Sequence, residues 1–284
     1  NYAAQPPAQF VVQPEGDVET EAFVGRNRPG GTPYAPDSEC GQLRGDAAIS
    51  RRGEIDAVFR RAAGLTQLKP RVLSRRPWVI VFDDFVGPAQ ASALIARTEP
   101  ELDRGIHGHG YSDERTSRSA FCRADCSADA DVAKLDARIA DVTGTPLPHT
   151  EYLQVVRYTE DQRYAEHHDQ SHHAAALSGV RLFTVLLYLR APDEGGETVF
   201  TALNLSVTPR AGRALFWTNV RDADPRATEP RVMHEALPVR RGVKWAANAW
   251  VHRQSWRPAV DAGCFTETLV AGDANCGYED PFQA

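Results

Sequence analysis

Four of the nine histidines in this 284-residue chain fall in one short stretch, His167-His168-Asp169-Gln170-Ser171-His172-His173, behind a strand-like approach through Tyr164-Ala165-Glu166. Residues two apart on a strand share a face, so His167 and Asp169 can reach one ion while His168 turns away. An imidazole and a carboxylate at this spacing make the local half of a two-histidine, one-carboxylate facial triad, the donor set that leaves positions open on iron(II) for oxygen chemistry. Alone the pair is a weak signal, because an exposed histidine-rich loop is spelled the same way. His234 strengthens it. It stands in a separate strand-like run, Val232 to Val239, where a later strand can return it beside the first pair. Lys244 opens the apolar run Lys244-Trp245-Ala246-Ala247-Asn248-Ala249-Trp250-Val251. A lysine buried among such neighbours is costly without an anionic partner, and a dicarboxylic cosubstrate would supply one.

These residues need rigid elements to hold them. Apolar positions from Ile49 to Leu65 recur at helical spacing among Arg and Glu, which predicts an amphipathic helix. Trp78-Val79-Ile80-Val81-Phe82 reads as a strand, and Pro88 to Arg97 as a helix with proline at its start. Asp131 to Val142 reads as another helix. Strand-like runs follow over 151–158, 164–169, 180–189, 197–201, 214–218, 232–239 and 244–251. Many short strands after early helices predict a mainly β, α+β architecture: a jelly roll or β-sandwich buttressed by N-terminal helices. The first 45 or so residues, broken by Pro6, Pro7, Pro14, Pro29, Pro33, Pro36 and Gly30-Gly31, read as an extended arm.

Composition narrows the function classes. With 42% hydrophobic and 25% charged residues the chain can build a sizeable core. A net charge of −6 argues against a partner held through its phosphates, and no apolar run of membrane-spanning length is present. The chain starts at Asn1, which suggests a processed product from which a signal peptide or anchor has been lost, and it ends in Asp280-Pro281-Phe282-Gln283-Ala284 with no retention tetrapeptide.

In its ordered motifs the chain resembles the prolyl 4-hydroxylase type of iron(II)/2-oxoglutarate-dependent dioxygenases, from roughly Pro77 to Trp256. The motifs are Trp78 to Phe85, Arg115-Thr116-Ser117, Leu153 to Tyr158, Gln162-Arg163-Tyr164 leading into His167-His168-Asp169, Gly195-Gly196-Glu197-Thr198-Val199-Phe200, Pro209 to Phe216, His234, and Pro238 to Trp245. The resemblance implies a double-stranded β-helix (cupin-like) core over 77–256, between an N-terminal extension (1–76) and a tail (257–284). It implies iron held by His167, Asp169 and His234, and 2-oxoglutarate held by Lys244 with hydroxyls from Tyr158 and Thr184. Tyr164, Glu151, Arg115, Ser117 and Trp250 match positions that line a peptide groove. Tyr164 and Trp250 read equally well as packed core aromatics, and Arg115 as a solvated loop charge.

The activity so implied is hydroxylation of proline at C4 in a Pro-rich peptide or protein, with dioxygen as cosubstrate, succinate and carbon dioxide as coproducts, and ascorbate as a helper. The same chemistry on a free amino acid, a lysyl side chain or a small metabolite is the alternative. A catalytically silent module that binds Pro-rich peptides is another. The segment Asn219 to Pro230 has no evident counterpart in the pattern and reads as a loop near the site entrance. His168, His172 and His173 read as a polar loop beside the site, and His107, His109, His149 and His252 as surface or strand-end residues. The five cysteines fit no zinc pattern. A Cys264–Cys276 disulfide would staple the tail, and Cys122 can pair with Cys126 or either with Cys40, which favours an oxidising, secretory-pathway compartment.

Overall fold

In the computed structural model, residues 37–104, 114–170 and 176–264 are described. The helices are α1 (Asp37–Gln42), α2 (Glu54–Ala63), α3 (Pro88–Thr98), α4 (Ala130–Thr143) and α5 (Arg257–Asp261). The strands run β1 (Pro70–Arg75), β2 (Trp78–Phe82), β3 (Asp103–Arg104), β4 (Arg118–Phe121), β5 (Gln154–Tyr158), β6 (Tyr164–His167), β7 (Arg181–Arg190) and β8 (Glu194–Gly195). They continue through β9 (Thr198–Phe200), β10 (Leu205–Val207), β11 (Ala214–Thr218), β12 (Val220–Arg221), β13 (Asp224–Thr228), β14 (His234–Ala236), β15 (Val239–Arg241) and β16 (Lys244–His252).

Two antiparallel sheets form a double-stranded β-helix. The larger has the order β1-β2-β11-β7-β16-β5-β4-β3, and the smaller β10-β9-β14-β6. Alternation along the strands separates two cores. Val155, Phe183, Val185, Leu187 and Phe216 face the helices, where Phe59 of α2 and Leu135 and Ile139 of α4 meet them. Val79, Val81, Val156, Tyr188, Leu215 and Trp217 face the small sheet and Phe200. The central strand β7 is covered on both faces, which is why its sequence is apolar almost throughout. Phe59 stacks on Phe216 at 4.2 Å between ring centroids, so α2 belongs to the same core as the strands although it precedes residue 77. The sheet likewise begins earlier, at β1.

The cysteines pair as Cys40–Cys264 and Cys122–Cys126. Cys264 therefore joins Cys40 rather than Cys276, which lies outside the described residues. The reason is packing: Cys40, Leu177, Ala259 and Cys264 share a small buried cluster that brings α1 against α5. The end of the N-terminal arm is thus a helix tied to the domain; residues 1–36 lie outside the described part. The Cys40–Cys264 bridge spans 224 residues. By chain entropy a loop of that size stabilises by up to about 5 kcal/mol. The Cys40→Ser, Cys264→Ser double variant should show that loss in urea denaturation, with the disposition of the strands unchanged by circular dichroism.

Candidate metal centre and cosubstrate pocket

Strand pairing brings the three proposed ligands together. His167 closes β6 and His234 opens β14, and the two are direct partners in the small sheet. Asp169 lies two residues past His167, and the three donor atoms all lie within 4.8 Å of one another. Asp169 Oδ1 is 3.6 Å from His167 Nε2 and 3.8 Å from His234 Nε2.

Each imidazole is oriented from behind. His167 Nδ1 lies 2.8 Å from the Ala165 carbonyl and His234 Nδ1 3.0 Å from the Val232 carbonyl. A carbonyl can only accept, so both Nδ1 atoms carry the proton and both Nε2 lone pairs point to the common centre, the arrangement a metal-binding histidine requires. Burial and the neighbouring His234 push the His167 pKa down to about 3, which keeps it neutral. Burial alone would raise the Asp169 pKa. The two imidazoles, the Thr184 hydroxyl and Arg181 outweigh it and hold the carboxyl at about 2, so it stays ionised. Two imidazole nitrogens and one carboxylate oxygen fit a divalent metal, and the residues present suit iron(II). Trp217 and Phe200 pack on His234 at 4.8 and 5.4 Å, walling the site with apolar rings.

The same cavity is lined by Lys244, Tyr158, Thr198 and Leu186 from the strands around it. Lys244 is 1% exposed. Its Nζ donates to the Gly196 carbonyl at 2.7 Å and lies 5.0 and 5.7 Å from the ring centres of Tyr158 and Tyr188. No carboxylate of the described residues pairs with it. Gly196 has φ +73°, and a Cβ there would stand 3.1 Å from the Lys244 Cδ, so a glycine lets the lysine stem pass. Burial pushes the Lys244 pKa down to about 7, with Glu197 opposing the shift. The unfolded chain therefore binds more protons than the folded one between pH 7 and about 10.5, and stability rises with pH across that window. The unfolding free energy should climb by a few kcal/mol relative to Lys244→Met between pH 7 and 10. Urea titrations of both proteins across that range check it.

One expectation is corrected. Thr184 does not line the cavity: it is fully buried and its hydroxyl donates to Asp169 Oδ2 at 2.7 Å. Thr198 stands on the cavity wall instead and accepts from the Tyr188 hydroxyl at 2.8 Å. Tyr158 is the register partner of Lys244 and lines the same cavity.

The residues matched to a groove form two groups. Tyr164 lines the cavity, stacks on His167 at 3.6 Å and bridges to Arg115, whose guanidinium lies 4.8 Å over its ring and donates to Gln154. Ser117 is buried beside Arg115. Arg115 is thus 6% exposed and not a solvated charge. Glu151 and Trp250 form the second group around Arg181: its Nε donates to Glu151 at 2.7 Å, its guanidinium lies 4.0 Å from the Trp250 ring centre, and its Nη1 donates to the Asp169 carbonyl.

The surface reading of His149 is corrected, and His252 ends β16 as a buried residue. His252 is fully buried and its Nε2 lies 2.7 Å from Glu151 Oε1, and His149 is buried beside it with Nδ1 on the His252 carbonyl. His168 is partly buried, its Nδ1 accepting from the Gln170 N–H and its Nε2 donating to the Glu229 carbonyl. His107, His109, His172 and His173 lie outside the described residues. Asn219 to Pro230 is not an entrance loop: it carries the β12–β13 hairpin and lines no part of this cavity.

Comparison with known proteins agrees with this geometry. Residues 153–252 match the family model of the 2OG-Fe(II) oxygenase superfamily. Over 209 residues the chain is 34% identical to probable prolyl 4-hydroxylase 3 of Arabidopsis thaliana, covering 64% of this chain and 71% of the relative. It is 33% identical over 199 residues to prolyl 4-hydroxylase subunit alpha-3 of Bos taurus, covering 66% of this chain. The chain spans only about 36% of the length of that bovine relative. Among solved structures, the viral collagen prolyl hydroxylase of Paramecium Bursaria Chlorella virus-1 aligns with a TM-score of 0.48 and 25% identity, over 61% of this chain and 95% of that one. The matched region holds His167, Asp169, His234 and the cavity residues named above, and the chain belongs to the prolyl 4-hydroxylase family of 2-oxoglutarate- and iron(II)-dependent oxygenases.

Proposed function

We propose that this protein hydroxylates proline at C4 in a Pro-rich peptide or protein, using 2-oxoglutarate and dioxygen. The observation that carries the reading is the pairing, in one cavity, of a His167–Asp169–His234 donor set with a buried ammonium, Lys244, that has no carboxylate partner among the described residues. His167, Asp169 and His234 would hold iron(II), which when bound couples decarboxylation of 2-oxoglutarate to hydroxylation of an unactivated C–H bond. Lys244 would meet the distal carboxylate, with Tyr158 and Thr198 beside it. Phe200 and Trp217 keep water from the far side of His234. Tyr164, backed by Arg115 and Ser117, and Trp250, backed by Arg181 and Glu151, would hold the peptide from two sides; a polyproline II segment is already extended and suits such aromatic walls. Ascorbate would keep the metal reduced. Two disulfides support an oxidising compartment of the secretory pathway.

The test is the peptide dependence of succinate formation. With iron(II) and 2-oxoglutarate, a Pro-rich peptide should raise succinate release well above the uncoupled rate and gain one oxygen by mass. The matched peptide with every proline replaced by alanine should do neither. Equal succinate release with both peptides would contradict the reading.

A further inference from the structure

The base of the β12–β13 hairpin reaches the metal ligands from behind. Asn219, just before β12, is fully buried, and its backbone is pinned on both sides: its N–H donates to Leu182 O at 2.8 Å and its carbonyl accepts from Glu229 N–H at 2.9 Å. Its Nδ2 donates to Thr184 Oγ1 at 2.9 Å, and that hydroxyl donates to Asp169 Oδ2 at 2.7 Å. The direction of the chain is set by Asn219: an amide N–H can only donate, so the Thr184 hydrogen is left for the carboxylate. Oδ2 is thereby engaged, while Oδ1 is the oxygen near both imidazole Nε2 atoms. At the other end of the hairpin the Glu229 carbonyl accepts from His168, the residue between the two ligands His167 and Asp169. One hairpin base thus braces the ligand loop at two points.

We propose that Asn219 is a positioning residue for the metal centre: through Thr184 it turns the Asp169 carboxylate so that Oδ1 alone is presented as the ligand oxygen. This rests on the metal site of the proposed hydroxylase and adds a residue that touches neither metal nor substrate. Loss of a partner that orients a ligand costs about 10–100-fold in metal affinity.

The test uses Co(II) as the probe, by anaerobic titration followed through its visible absorption, on wild type, Asn219→Ala, Thr184→Val and Thr184→Ser, with circular dichroism and thermal unfolding as fold controls. Asn219→Ala and Thr184→Val should bind Co(II) about 10–100-fold more weakly with an altered spectrum, and Thr184→Ser, which keeps the hydroxyl, should match wild type. If Asn219→Ala does not fold, Thr184→Val decides. Wild-type affinity and spectrum in a folded Asn219→Ala would overturn the assignment to Asn219, and the same result in Thr184→Val would overturn the whole relay. Wild-type protein that binds no Co(II) would overturn the hydroxylase reading and the relay together, whereas tight wild-type binding with equal binding by the variants overturns the relay alone.

Discussion

Alanine at His234 should abolish iron(II) binding and bring peptide-stimulated succinate formation to background. The loss should exceed the roughly 100-fold that removal of an orienting partner costs, because a donor atom itself is gone. The same holds for His167→Ala. Both imidazoles point their Nε2 atoms inward only because their Nδ1 atoms are held by backbone carbonyls two residues earlier in the chain, Ala165 and Val232. No other described residue stands ready to replace either donor, since His167, Asp169 and His234 are the one such cluster among the described residues. His168 cannot substitute, because both its nitrogens are engaged by Gln170 and Glu229. The variants should keep the far-ultraviolet circular dichroism of wild type. Metal content after dialysis, read beside turnover, checks the prediction; a His234→Ala protein that retains one equivalent of iron(II) and turns over would refute it.

Lys244→Met should act in opposite directions on binding and on stability. Truncating one partner of a buried charge pair costs about 2–5 kcal/mol, so 2-oxoglutarate affinity should fall roughly 30-fold to several-thousand-fold. Removing an ammonium that has no carboxylate partner among the described residues, and filling its volume with an apolar chain, should make the ligand-free protein more stable, by about 1–4 kcal/mol near neutral pH. The pKa of about 7 adds a further signature. Above that pH the lysine of the free pocket is largely neutral, while a bound dicarboxylate favours the ammonium, so 2-oxoglutarate binding at pH 8.5 should take up close to one proton. Calorimetry in two buffers of different ionisation enthalpy measures this in wild type, and Lys244→Met should show no such uptake. Unchanged affinity in Lys244→Met would remove the lysine from the cosubstrate site.

How far the site could be read from sequence depends on which contacts are local. His167 and Asp169 are legible because a two-residue spacing on a strand is a geometric statement. Lys244 is legible because a charge in an apolar run needs an anion. Strand-like runs such as Trp78 to Phe82 and 180–189 emerge as β2 and β7, since burial on both faces leaves a plain apolar signature. Thr184 and Thr198 could not be told apart from their types. Both hydroxyls lie on strands near the ligands, and only the pairing of the strands decides which one faces the cavity. Arg181 and His252 were hidden for the same reason: His252 finds Glu151 across 101 residues of chain, a contact that no local spacing encodes. The β12–β13 hairpin, charged and poor in β-branched residues, carries a loop composition, and its strands owe their shape to Asn219 and Glu229 closing its base.

Hydroxylation at proline C4 is read out by acid hydrolysis and amino-acid analysis of a Pro-rich peptide after reaction with iron(II), 2-oxoglutarate and dioxygen, with succinate counted in the same samples. The expected result is 4-hydroxyproline with about one succinate for each hydroxyl formed, and neither product from His234→Ala. Succinate formed while the peptide's proline stays unmodified, with the oxygen found on lysine, on a free amino acid or on a small metabolite, would contradict it.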